Sequence, residues 1–64
     1  MTAHDSRDLP EVLRRDVFRA LVEAQDGHLS VAQSRTAVYQ RYGLTERQLR
    51  AIEREGIANA WPPL

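Results

Sequence analysis

The chain predicts an all-α three-helix bundle with a helix-turn-helix, its helices at about 9–25, 31–42 and 46–55, closed by a short C-terminal turn. Three observations carry this. Apolar residues recur at helical rather than alternating spacing, so a 3.6-residue period outweighs a two-residue one. Two capping-box patterns, Ser30 with Gln33 and Thr45 with Gln48, flank the single glycine at 43. In each box the two residues satisfy one another's otherwise orphaned backbone N–H groups. No stretch shows strand-like alternation, internal repetition or low complexity.

In the first helix, Leu9, Val12, Leu13, Val17, Phe18, Leu21 and Val22 suit one face, with Arg14, Arg15, Arg19 and Glu23 on the polar side. Asp8 is expected to cap its start, where Pro10 and Glu11 fit the first turn. Asp26-Gly27 is expected to stop it, with Gly27 in the left-handed conformation. Leu29 and Ser30 open the second helix, whose apolar and aromatic side comprises Ala32, Ala37, Val38, Tyr39 and Tyr42. Gly43 ends it. The third helix buries Leu49 and Ile52 and is expected to break at Gly56. Ile57 and Trp61, at i and i+4, are expected to fold back on the first helix before Pro62-Pro63 forbids continuation. The domain spans 9–61, with a frayed start over 1–8 and a tail or linker start over 62–64.

Sixty-four residues allow one domain of marginal stability. The chain has no cysteine, so it forms no disulfides, and a cytoplasmic setting is expected. No eighteen-residue apolar run is present to span a membrane. Met1 to Ser6 lacks the basic and apolar regions of a signal peptide. Nine acidic residues balance nine basic ones, all arginine. The balance is uneven along the chain. Residues 1–29 hold four arginines and six acids, net −2; residues 30–54 hold five arginines and two acids, net +3; Glu55 closes the sum at zero. The basic excess falls on the second and third helices.

Those two helices and their glycine turn make the layout of a DNA-reading unit, in which the second helix enters the major groove. Arg47, Arg50 and Arg54 stand at i, i+3 and i+7, a stripe about 10 Å long. Arg47, Arg50, Gln48 and Glu46 are the candidates to meet base edges. Arg35, Arg41, Thr45 and Arg54 are the candidates for phosphates, since arginine gives bidentate contacts and a helix N-terminus attracts anions.

On Tyr42, Leu44-Thr45, Arg50 and Ile52-Glu53, the segment Arg35–Arg54 resembles the helix-turn-helix of region 4 of bacterial sigma factors. The run Leu-Thr-Glu-Arg-Gln-Leu-Arg-Ala-Ile-Glu is similar to that family's Val-Thr-Arg-Glu-Arg-Ile-Arg-Gln-Ile-Glu. The resemblance implies a trihelical DNA-binding domain in a transcription regulator. It does not imply the family's −35 promoter specificity, because Glu46, Arg47 and Ala51 replace its Arg, Glu and Gln. Tyr39 also stands where the family has Gly or Ala.

Other chemistry finds little support. His4 and His28 lack carboxylate or cysteine neighbours at ligand spacing, so no metal or other cofactor is expected. Ser30 and Ser34 suit capping and helix surface better than nucleophilic roles, and Asp5, Asp8 and Glu11 do not form a catalytic pair. So small a domain has little room for a substrate pocket, and no enzyme activity is expected. The expected function is a DNA-binding module of a bacterial transcription regulator or sigma-like protein. Double-stranded DNA is its partner, with a homodimer or a larger protein partner suggested by the apolar residues of the first helix. The alternative is a helical adaptor or oligomerisation module that binds no DNA, motivated by the zero net charge, Tyr39 and the same apolar excess.

Overall fold

The computed structural model describes residues 8–64, and the expected frayed start, with His4 and Asp5, lies outside them except for Asp8. The three helices are α1 (Glu11–Asp26), α2 (Val31–Tyr42) and α3 (Glu46–Ala58), each packed against the other two. They enclose a core of Val17, Phe18 and Leu21 from α1, Val38 from α2, Leu49 and Ile52 from α3, and Trp61 from the tail. Tyr39, Tyr42 and Leu44 pack at its edge, so the turn between α2 and α3 is anchored on the core.

Both capping boxes are formed. The Gln33 N–H donates to Ser30 Oγ and the Ser30 N–H to Gln33 Oε1, at 3.1 and 3.0 Å. The Gln48 N–H and Thr45 N–H repeat the exchange, each at 3.0 Å. Gly43 takes the left-handed conformation with φ of 68°. The Leu44 N–H then donates to the Tyr39 carbonyl at 2.8 Å and the Gly43 N–H to that of Gln40 at 3.3 Å. This paired closure is the Schellman arrangement.

Several boundaries depart from expectation. α1 starts at Glu11 with Pro10 at its N-cap and no side-chain cap, so Asp8 does not fill that role. Arg14, in the next turn, instead ties down the segment before the helix, its Nη1 donating to the Leu9 carbonyl at 2.6 Å. Gly27 has φ of −82°, not a left-handed value, and closes α1 with a single N–H bond to the Ala24 carbonyl.

The larger correction concerns Gly56, which does not break α3. The helix runs through it to Ala58, and Gly56 is buried where Phe18 of α1 crosses. Closure comes four residues later, at Ala60, with φ of 51°. The Trp61 N–H donates to the Gly56 carbonyl at 2.9 Å and the Ala60 N–H to that of Ile57 at 3.2 Å. The bond pattern matches that at Gly43, with alanine in the left-handed position. This turn directs Trp61 onto α1, its ring edge-on to Phe18 at 6.1 Å and 78°. Arg15 also lies over the Trp61 ring, its Cζ 5.0 Å from the ring centroid. Trp61 thus folds back on α1 as expected, a lid on the core, whereas Ile57 is 60% exposed and does not.

Three orientations also differ. Arg14 lies between α1 and α3, not on a solvated face. Ser34 is fully buried rather than on the helix surface, while Ala32 and Ala37 are exposed. Val12 points outward, 75% exposed, and the other apolar residues of α1 are buried or half-buried. Helical phase explains the exchange. Arg14, Val17, Phe18 and Leu21 follow i, i+3, i+4 and i+7, so they share the inward stripe.

Candidate nucleic-acid interface

The outer face of α3 is built by where its acids go. The helix carries three arginines, Arg47, Arg50 and Arg54, and three acids, Glu46, Glu53 and Glu55, so in sequence it is neutral. The fold separates these charges. Glu55 turns toward α1 and accepts a bidentate pair of bonds from Arg14, Nε to Oε1 at 3.0 Å and Nη2 to Oε2 at 3.1 Å. Glu53 turns toward α2 and accepts from Arg35 Nε at 3.1 Å. Two acids of α3 are therefore neutralised by arginines of the other two helices. Its own three arginines keep an exposed face with Glu46 as the one carboxylate, a local charge of +2 on four residues.

Glu46, Arg47, Arg50 and Arg54 line one shallow groove of about 500 Å³. Among the described residues, these arginines form no salt bridge, although Glu46 stands four positions before Arg50. By contrast, Arg14, Arg15, Arg19 and Arg35 all pair with acids. Among the described residues, four arginines of α1 and α2 are paired with acids, while those of the α3 face, and Arg41 of α2, are not.

The remaining candidates do not join this face as equals. Arg35 is held in the pair with Glu53, its side chain 25% exposed, so its guanidinium links α2 to α3. Arg41 stacks on the Tyr42 ring at 5.4 Å and lines a separate groove with Asp16, Arg19 and Glu23 of α1. Thr45 and Gln48 are engaged with each other. The Thr45 hydroxyl accepts from the Gln48 N–H and contacts Gln48 Oε1 at 3.4 Å, and that same oxygen accepts the Thr45 N–H. Sequence reading missed the role of Glu53 and Glu55, since their partners lie 18 and 41 residues away and leave no local pattern. It also missed that Ile57 extends the exposed side of α3, although the i+3 step from Arg54 signals it.

Among the described residues, no cluster of three or more His, Asp or Glu side chains is placed to hold a metal ion. Nor is any helix there long and apolar enough to cross a membrane. Comparison of the chain with family models, curated proteins and solved structures gave no match.

Proposed function

We propose that this protein is a DNA-binding helix-turn-helix module of a bacterial transcription regulator or sigma-like protein, with α3 as the helix that enters the major groove. The observation that carries the proposal is the free arginine face. Arg47, Arg50 and Arg54 are exposed on one side of α3 and unpaired among the described residues, while Glu53 and Glu55 are engaged elsewhere. Unpaired guanidiniums on an exposed helix face suit phosphate oxygens and guanine edges. Glu46 is the exception on this face and suits a base-edge donor better than a phosphate.

The test is a fluorescence anisotropy titration with duplex DNA across a range of salt. Affinity is expected to fall with salt, with a log–log slope no steeper than about −3 per protomer, since roughly −0.9 accompanies each phosphate neutralised. The triple variant Arg47→Gln, Arg50→Gln, Arg54→Gln should lose this binding while keeping its helical content. Equal binding by the folded variant and the parent would refute the proposal.

A protein-interaction module is the second reading, favoured by the uncharged outer face of α2. There Ala32, Gln33, Thr36, Ala37 and Gln40 line an open groove of about 380 Å³. The apolar excess of the first helix no longer favours it, because the core takes up all of that set except Val12. Light scattering on the titrated sample separates the two: this reading requires a discrete complex and no salt-dependent DNA binding.

A further inference from the structure

We infer that the α3 face selects G·C base pairs, reading guanine with Arg47 and Arg50 and cytosine with Glu46, and that Gln48 reads no base. The inference rests on the DNA-binding reading above and adds which duplex the site takes.

Base identity in the major groove is a pattern of donors and acceptors. Guanine offers two acceptors, N7 and O6, which match the paired donors of an arginine. Cytosine offers the N4 amino donor, which matches a carboxylate. Adenine offers one acceptor and one donor, N7 and N6, and is matched by an Asn or Gln amide using both its oxygen and its nitrogen. The free side chains on α3 are three guanidiniums and one carboxylate. Arginine has donors only and a carboxylate acceptors only.

The one amide near this face is Gln48, which the sequence alone places among the base readers. The capping box takes it out of that set. Its Oε1 accepts the Thr45 N–H at 3.0 Å and lies 3.4 Å from the Thr45 hydroxyl. The acceptor half of the amide is therefore occupied at the helix start, and the side chain is half-buried there. Only Nε2 donors remain, which do not complement adenine. Thymine offers a single acceptor, O4, and a methyl group met by apolar contact, and the one apolar side chain not buried between Arg47 and Arg54 is the half-buried Ala51. Ile57 is exposed, but it lies ten positions beyond Arg47, about 15 Å along the axis. The stripe from Arg47 to Arg54 spans about 10 Å, or about three base pairs at 3.4 Å each. The face thus complements a short G·C run, since only guanine gives an arginine two acceptors on one base.

Selection of the whole protein on a randomised duplex library tests this. Guanine is expected over adenine at two positions by roughly ten- to a hundredfold, the range of one good bidentate contact. A neighbouring position should favour cytosine on the strand facing Glu46. Enrichment of A·T pairs, or salt-dependent binding without base preference, would overturn the inference and leave the DNA-binding reading standing. No binding to any duplex would overturn both.

Two variants assign the residues. Glu46→Gln should move the cytosine preference toward adenine, because the new amide has both its donor and its acceptor free. Gln48→Glu keeps the capping-box chemistry, so the base preference should stay as in the parent, though affinity falls with the added charge. A changed base preference in Gln48→Glu, or an unchanged one in Glu46→Gln, would refute the assignment.

Discussion

Replacing Gly56 by alanine tests the packing of α1 on α3 at its closest point. Propensity alone favours the change, since alanine inside a helix is better than glycine by about 1 kcal/mol. Packing opposes it. A Cβ on Gly56 would stand 2.5 Å from Phe18 Cε1 and 2.6 Å from Cγ, with Cδ1 nearer still. Atoms at such distances cannot coexist, so the ring or the helix must move. The Phe18 ring has little room to yield, being 1% exposed and edge-on to Trp61, with Val17 and Leu21 buried beside it. Overpacking of a tight core costs about 1–3 kcal/mol. A clash with three ring atoms belongs at or above the upper end, which leaves a net loss of about 2 kcal/mol after the propensity gain. For a domain of this size that corresponds to a melting temperature lower by roughly 8–16 °C. Thermal and urea denaturation followed by circular dichroism measure it, and Trp61 fluorescence reports whether the lid is displaced. Phe18→Leu in the Gly56→Ala background should recover part of the loss, because the smaller side chain makes room for the methyl group. A Gly56→Ala variant more stable than the parent would refute the packing argument and return Gly56 to the status of an ordinary helix glycine.

Three further outcomes follow from the same packing. Ala60→Gly should raise stability by up to about 1 kcal/mol, because alanine at φ of 51° bears the left-handed penalty that glycine escapes; an unchanged or lower melting temperature would contradict the Schellman closure at this end. Ser34→Ala should be neutral or stabilising by about 1 kcal/mol in urea titration, since Ser34 Oγ is buried without a hydrogen-bond partner among the described residues; a clear loss would mean that the hydroxyl is satisfied. Glu55→Ala should destabilise by about 2 kcal/mol, reduced from the fully buried case because Glu55 keeps 26% side-chain exposure. It strands Arg14, so the double variant Arg14→Met, Glu55→Leu should regain most of the loss, and failure to do so would assign the effect to something other than the pair.

Local sequence determined the parts of this protein whose partners lie within a few residues. The starts of α2 and α3 follow from Ser30 with Gln33 and Thr45 with Gln48, because a capping box closes over three residues. The end of α2 follows from Gly43, where φ of 68° suits glycine above other residues. The inward positions of Val17, Phe18, Leu21, Leu49 and Ile52 follow from helical period and residue type. Tertiary structure decided what depends on a neighbour distant in sequence. A glycine in a sequence reads as a helix break, yet Gly56 is a contact, because Phe18 occupies the place its side chain would take. Pro62-Pro63 marks locally that the helix must end nearby, but nothing local assigns the left-handed turn to Ala60; it lies where Trp61 can dock on Phe18 and Arg15. Arginine reads as surface, yet Arg14 is inside because Glu55 meets it there. The exposed arginines of α3 were legible as a stripe, but not their freedom from partners. That freedom depends on where Glu53 and Glu55 turn, and only the packing of α3 against both α1 and α2 sets those directions.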